Sequence, residues 1–239
     1  MNISFDLDST LIPNGTEFET EKRSKIAKLL GIEAIRKGSP KLISDLQKEK
    51  HKIHIYTTSF RKKINIRWTL RYYGIKVDRI VNQSENRKTL KSLNINASKY
   101  PPAFGFDLHI DDLKGVELES KKFSFKTLII MPSDKHWAEK VKTEIDKTFE
   151  LRTLKRLFKE LWLHSNNCSE PIKSMWFSIQ EVSKSTGNTK KEVRKHVNML
   201  ISNNYICMTS EEPMRFEFTE KGKKIKTDLD IQKIIQNVG

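Results

Sequence analysis

The chain has 239 residues, of which 31% are charged and 36% hydrophobic, and its formal net charge is +15. This length can hold two domains of ordinary size, and the composition is that of a folded protein rather than a disordered one. The positive charge, which both halves of the chain carry, favours polyanionic partners such as nucleic acid, phosphorylated ligands or an acidic membrane surface.

Two cysteines, Cys168 and Cys207, occur without a paired-cysteine motif. This usage argues against a disulfide framework or a structural zinc site and fits a reducing compartment. The N-terminal residues lack the basic start and apolar run of a signal peptide, and no stretch approaches the length of a membrane span. We therefore expect a cytoplasmic protein that is neither exported nor embedded in a membrane.

Strand and helix patterns alternate over the first 147 residues. Periodicity and turn residues predict strands at residues 2–7, 51–56, 75–81, 106–110 and 126–131, and helices at 25–35, 40–50 and 62–73. Such alternation is typical of an α/β fold with a parallel, Rossmann-like sheet. Because the alternation stops there, we place a domain boundary after residue 147, between domains at 1–147 and 148–239.

Two carboxylates, Asp6 and Asp8, stand at the end of the first predicted strand in the sequence Asp6-Leu7-Asp8-Ser9-Thr10. A turn after the strand can bring Asp8 beside Asp6, and paired carboxylates suit Mg²⁺, which prefers oxygen ligands. Read alone, the same residues could simply cap a turn.

Three further polar groups follow in order. Hydroxyls at Thr57, or at its neighbours Thr58 and Ser59, end the second strand; a basic pair follows at Arg87-Lys88; and Asp111-Asp112 end a later strand. Ligands of parallel α/β sheets bind at the carboxyl ends of strands, which is where the acids and hydroxyls are predicted.

This ordered set resembles the haloacid dehalogenase-like (HAD) superfamily, whose phosphatases carry D-x-D-x-[TV], then Thr or Ser, then Lys, then an acidic pair. The resemblance covers about the first 135 residues. It implies a Mg²⁺-dependent phosphomonoester hydrolase in which Asp6 attacks phosphorus and forms an aspartyl-phosphate. Asp8 would protonate the leaving oxygen and then activate water, and its presence favours a phosphatase over a dehalogenase.

The resemblance also assigns the remaining groups. Thr57 would donate to a phosphoryl oxygen, and Lys88 would neutralise negative charge, with Arg87 and Lys91 as alternatives to Lys88. His109 is interpreted as a core residue rather than a ligand. The predicted metal ligands are Asp6, Asp8, Asp111 and Asp112.

The segment between residues 12 and 38 has room for one extra helix, so the family's substrate-selecting cap would be minimal. A minimal cap predicts a site that is open enough for a large substrate or for one supplied by a partner. The expected substrate is a phosphorylated small molecule or a nucleic-acid end. The sequence does not choose between these substrates.

The second domain has the pattern of a small winged-helix α+β fold. Amphipathic helices are predicted at 151–164, 179–185 and 189–203, a hairpin at 205–209 and 215–219, and a last helix from 220. The pattern resembles winged helix-turn-helix domains, in which the second helix enters the DNA major groove. Residues expected to face nucleic acid are Thr189, Lys190, Lys191, Arg194, Lys195, Asn198 and Arg215.

Two functions from different classes remain open at this point. One is a phosphatase that the winged helix delivers to nucleic acid or to a protein partner. The other is a DNA-binding transcriptional regulator whose HAD-like domain senses a phosphorylated ligand with little turnover. Winged helices also bind proteins, and the oligomeric state is not predicted.

Overall fold

The computed structural model describes residues 1–166, 175–211 and 214–236, which form two compact units that divide between Ile145 and Asp146. The boundary predicted from sequence, after residue 147, lies two residues further along. Cys168 and the predicted hairpin turn at residues 212–213 lie outside the described residues. No helix among the described residues has the length and apolar character that crossing a membrane would need.

The first unit contains a sheet of five parallel strands. The strands are β1 (Asn2–Phe5), β2 (Lys52–Tyr56), β3 (Arg79–Val81), β4 (Leu108–Asp111) and β5 (Thr127–Ile129). They lie in the order β3-β2-β1-β4-β5, so β1 is central. The predicted α/β class with a Rossmann-like parallel sheet is confirmed at this level.

Helices connect these strands, as parallel pairing requires. They are α1 (Lys25–Leu29), α2 (Ser39–Lys48), α3 (Lys63–Tyr72), α4 (Gln83–Ser92) and α5 (Lys114–Phe123), with a 3-10 turn at Pro101–Phe104. The inner strands β1, β2 and β4 are mostly buried and read as apolar runs, and their side chains form the core with those of α2 and α3.

The segment between β1 and α2 contains one helix, α1, which is shorter than the predicted helix at 25–35. Leu30 ends it, and Gly31 follows with φ of +75°, a conformation that glycine adopts without steric cost. Arg36 anchors the end of the segment: its buried guanidinium donates to the carbonyl oxygens of Met131, Pro132 and Asp134 at 2.8–3.0 Å.

The second unit is a helix–turn–helix followed by an antiparallel hairpin. Helix α6 (Trp137–Asn166) crosses the division, and α7 (Met175–Thr186), α8 (Lys190–Ser202), β6 (Ile206–Glu211), β7 (Met214–Phe218) and α9 (Asp228–Gln236) follow. Apolar side chains from α6, α7, α8, the hairpin and α9 form its own core. Helix α8 starts with a capping box, in which the side chains of Thr189 and Glu192 bond each other's backbone N–H groups.

Candidate active site

The site lies at the carboxyl edge of the sheet, where β1 and β4 end side by side. Phe5 pairs with Ile110, so the next residues, Asp6 and Asp111, are neighbours on adjacent strands. The backbone N–H of Asp6 donates to the carbonyl oxygen of Ile110 at 2.8 Å, which fixes this position. The sheet register therefore brings together two acids that lie more than a hundred residues apart in sequence.

Lys99 lies between these two carboxylates. Its Nζ is 2.5 Å from Oδ1 of Asp6 and 2.6 Å from Oδ2 of Asp111, and all three side chains are almost completely buried. Burial opposes the charge on Lys99, but the two carboxylates outweigh burial and raise the pKa of the ammonium. Lys99 is therefore a fixed positive charge against Asp6.

The two carboxylates differ in their proton affinity. Burial raises the pKa of Asp6 to about 6, although Lys99 pulls the pKa the other way. Burial also opposes ionisation of Asp111, but hydrogen bonding from His109 and the charge of Lys99 outweigh it and lower the pKa below the ordinary range. Asp111 is thus an anion over the whole neutral range, and Asp6 becomes one above about pH 6.

His109 is a buried part of this network. Its Nε2 donates to Oδ2 of Asp111 at 2.9 Å, and the Ser4 hydroxyl lies 2.9 Å from its Nδ1. The sequence interpretation of His109 as a core residue is right about its burial, but the residue also orients a carboxylate of the site. The contact could not be anticipated, because it depends on the rotamer of each side chain.

Asp112 completes a group of three carboxylates with Asp6 and Asp111. One oxygen of each lies within 4.8 Å of those of the other two. Thr10, from the loop after β1, donates to Oδ1 of Asp112 at 3.2 Å, and burial together with the charge of Asp111 raises the pKa of Asp112.

This group suits a hard divalent cation. All its donors are carboxylate oxygens, the ligand type that Mg²⁺ prefers. With Lys99 charged and all three acids ionised, two negative charges remain uncompensated, which a divalent ion would balance. The donor set is consistent with the predicted magnesium site, although the same oxygens could hold another hard cation.

Asp8 does not join the three carboxylates, so the prediction that its side chain is part of the metal-binding group is wrong. The chain turns after Leu7, with Ser9 at φ of +54°, and the carboxylate of Asp8 meets Arg61 instead. Nη1 of Arg61 donates to Oδ1 of Asp8 at 2.6 Å. Among the described residues, Oδ2 of Asp8 has no hydrogen-bonding partner.

Arg61 links Asp8 to the segment that precedes α2. Its Nε and Nη2 donate to the carboxylate of Glu33 at 2.9–3.1 Å, while Nη1 reaches Asp8 and Ser59. Sequence reasoning missed both Arg61 and Glu33. A usable signal existed for Arg61, which follows the hydroxyls at the end of β2 and so lies in a loop at the carboxyl edge.

Thr57 lies where the sequence predicted a hydroxyl, directly after β2. Its backbone N–H donates to Val81, its side chain is buried, and its Oγ1 accepts a hydrogen bond from the N–H of Ser59 at 3.1 Å. A hydroxyl that accepts one bond keeps its proton available for another. Thr57 can therefore donate to an anionic group at this edge.

Lys88 is not the lysine of the site, and this prediction is wrong. Lys88 is exposed on α4, whereas Lys99 contacts Asp6. The alternatives, Arg87 and Lys91, are also on α4 and make no contact with Asp6. The lysine that does so, Lys99, is buried directly before the apolar stretch 100–104, and this apolar neighbourhood was the signal available in the sequence.

The predicted nucleic-acid-binding residues are mostly on the exposed face of α8, opposite the buried Val193, Val197 and Leu200. Lys190 and Arg194 lie 4.7 and 5.5 Å from the Trp176 ring centroid, and the Thr189 hydroxyl is used in the capping box. The remaining four are exposed: Lys191, Lys195, Asn198 and Arg215.

No protein-family model matches the chain, and no curated protein matches its sequence. The site geometry is therefore the basis for assigning a function.

Proposed function

We propose that residues 1–147 form a Mg²⁺-dependent phosphomonoester hydrolase of the HAD-like superfamily that acts through an aspartyl-phosphate on Asp6. One observation carries this proposal: a buried aspartate at the carboxyl edge of a parallel sheet, held against a buried lysine and two further carboxylates. This arrangement offers a nucleophile, a fixed positive charge and a cation site at one point.

The chemistry follows from the roles of individual side chains. An oxygen of Asp6, ionised at neutral pH, forms a bond to phosphorus while the bond from phosphorus to the leaving oxygen breaks. Lys99 and Thr57 are suited to stabilise the negative charge of the transferring group. Mg²⁺ held by Asp6, Asp111 and Asp112 would supply further charge neutralisation.

Asp8 is the general acid and base of the proposed reaction. It donates a proton to the leaving oxygen in the first step and takes one from the attacking water in the second, which releases phosphate and restores Asp6. The ion pair with Arg61 uses Oδ1 and holds the carboxyl group in one orientation, so Oδ2 is free for proton transfer. Arg61 is a positioning residue in this proposal.

Asp8→Asn is expected to slow hydrolysis of alkyl phosphates by about 10²- to 10⁴-fold, because their leaving alkoxide requires a proton. Formation of the aspartyl-phosphate from p-nitrophenyl phosphate should be slowed much less, since p-nitrophenolate leaves without one. Burst and single-turnover kinetics on both substrates would measure the difference. Equal slowing of the first step on both substrates would contradict the acid role. The control is Asp45→Asn on α2, where the partly exposed Asp45 pairs with Lys41 and Lys48.

The proposal as a whole is tested by phosphate release from a broad panel of phosphomonoesters, with Mg²⁺ and after its removal by a chelator. The panel includes nucleotides, sugar phosphates and oligonucleotides with terminal phosphates. We expect Mg²⁺-dependent turnover of at least one class. A folded protein that hydrolyses none of them would favour the alternative, a DNA-binding regulator that senses a phosphorylated ligand.

A nucleic-acid-binding role for the second unit is proposed on the charged face of α8. The exposed face of α8 carries positive charges, and so does the hairpin that follows it, at Arg215 of β7. In winged helices a recognition helix is followed by a hairpin in the same order. In this reading the unit brings the phosphatase to DNA. The alternative reading, a protein-binding module, uses the same surface without phosphate contacts.

Lys191→Gln combined with Lys195→Gln is expected to weaken binding to a duplex oligonucleotide. The slope of the logarithm of the binding constant against the logarithm of the salt concentration should decrease by about one for each phosphate contact that is lost. Fluorescence anisotropy at several salt concentrations measures both effects. Lys159→Gln on α6 removes one charge from the same unit and is the control for each of the single substitutions, Lys191→Gln and Lys195→Gln. An unchanged slope would argue that α8 binds a protein rather than nucleic acid.

A further inference from the structure

A groove of about 490 Å³ runs along α4 at the carboxyl end of β3. Its volume is within the range that holds small organic ligands, and it is much larger than a single phosphate group needs. The polar residues that line it come from α4 and from two loops: Thr58, Gln83, Asn86, Arg87, Lys91 and Ser98.

The groove is adjacent to the proposed active site. Thr58 follows Thr57 in the chain and Ser98 precedes Lys99, so each is one residue, about 3.8 Å between Cα atoms, from a residue of the site. Within the groove, Nδ2 of buried Asn86 donates to the carbonyl oxygen of Ser98 at 2.8 Å, and its Oδ1 accepts a hydrogen bond from the hydroxyl of Tyr56, the residue before Thr57. The groove therefore borders two residues of the proposed site, Thr57 and Lys99.

Two cations of this groove have no anionic partner. Arg87 and Lys91 lie one helical turn apart, and neither side chain makes a hydrogen bond or ion pair within the part of the chain that the structure describes. Nearby Lys63 and Arg79 differ, since both pair with Glu85. Two like charges at this spacing repel each other, so an anion between them would relieve the repulsion.

We propose that this groove binds a second phosphate of the substrate, so that the substrate is a phosphomonoester with another phosphate or phosphodiester group a short distance away. This inference rests on the proposed phosphatase activity, which puts the reacting phosphate at Asp6. Guanidinium and ammonium groups both bind phosphate, and the groove has room for the sugar or other linker between the two groups. Nucleoside bisphosphates and oligonucleotide ends share this chemistry.

Binding to the Asp6→Asn protein tests the inference without turnover. The probes are adenosine 5′-monophosphate and adenosine 3′,5′-bisphosphate, measured by calorimetry with Mg²⁺. We expect the bisphosphate to bind about tenfold or more tightly than the monophosphate, and Arg87→Gln with Lys91→Gln to remove the difference. Lys88→Gln is the control for each of the single substitutions, Arg87→Gln and Lys91→Gln, because Lys88 is exposed on the same helix and does not line the groove.

Equal binding of the two probes, or the same loss in Lys88→Gln as in the double variant, would overturn the inference. Failure of the proposed phosphatase function has a different signature from failure of this inference. The wild type would then show no turnover, while the preference for the bisphosphate over the monophosphate would persist. A dinucleotide with a terminal phosphate is the third probe in the same binding measurement. Tighter binding of the dinucleotide than of the bisphosphate would identify a nucleic-acid end as the source of the second phosphate, and the reverse would identify a free nucleotide.

Discussion

Asp6→Asn is expected to reduce Mg²⁺-dependent phosphate release on the order of 10⁴-fold or more, the scale seen when a nucleophile is removed. An amide has nearly the shape of a carboxylate but does not form the acyl-phosphate bond. The variant also loses one anionic oxygen of the three-carboxylate group. Initial rates of phosphate release on the best substrate of the panel would measure the effect.

The Asp6 variant should remain folded, which makes the result interpretable. The substitution removes a buried carboxylate whose pKa burial raises to about 6, and Lys99 keeps Asp111 as its partner. Far-UV circular dichroism and thermal unfolding are the checks on the fold, and Asp45→Asn is the surface control for the rate. Retention of most of the wild-type activity by a folded Asp6→Asn protein would exclude Asp6 as the nucleophile.

Lys99→Met is expected to affect both activity and stability. Removing a preorganised positive charge from the reacting group costs about 10²- to 10³-fold in rate. Removing one partner of a buried ionic cluster leaves uncompensated charges and costs about 3–5 kcal/mol of the free energy of unfolding. Phosphate release and urea unfolding measure the two effects.

The stability loss in Lys99→Met should depend on pH in a defined direction. Without the ammonium group, the pKa of Asp6 in the folded state rises further above its ordinary value, so ionising Asp6 costs more in the folded protein than in the unfolded chain. Asp111 loses one of the causes that lower its pKa. The part of the stability loss that comes from Asp6 is largest above the folded-state pKa of Asp6 and diminishes as pH falls. It disappears below about pH 4, the ordinary pKa of aspartate, where Asp6 is protonated in the unfolded chain as well. A loss that is independent of pH would indicate a packing defect instead.

Lys88→Met tests whether Lys88 or Lys99 is the lysine on which activity depends. Lys88 is exposed and lies on α4 away from Asp6, so its substitution should change stability by less than about 0.5 kcal/mol and leave the rate unchanged. A large loss of rate in Lys88→Met together with normal activity in Lys99→Met would reverse the assignment made from the structure.

The acids of the site could be predicted from sequence because their positions follow from strand pattern alone. Asp6 and Asp111 each stand at the end of an apolar run, and parallel strands bring their carboxyl ends to one edge. The position of the Thr57 hydroxyl could be predicted by the same reasoning, because Thr57 directly follows β2. Their closeness does not depend on the rotamer of a long side chain or on the path of a loop.

The basic groups could not be predicted in this way. A lysine side chain is long and flexible, so its sequence position leaves its ammonium group undefined by several ångströms. Lys88 and Lys99 are chemically identical, and they differ in burial: Lys88 is exposed on α4, whereas Lys99 is buried between the two strand-end carboxylates. Arg61 was missed for a related reason: its partner Glu33 falls within the helix predicted at 25–35, but α1 ends at Leu29 and Glu33 lies in the loop that follows.

The most direct test of a phosphoryl group on Asp6 uses the Asp8→Asn protein with p-nitrophenyl phosphate and Mg²⁺. The good leaving group should allow Asp6 to be phosphorylated, and the missing base should slow hydrolysis, so that the intermediate accumulates. Acid quenching and peptide mass mapping are predicted to find one phosphoryl group on the peptide that contains Asp6. Release of p-nitrophenolate without that modification, or with the phosphoryl group on another residue, would contradict the account.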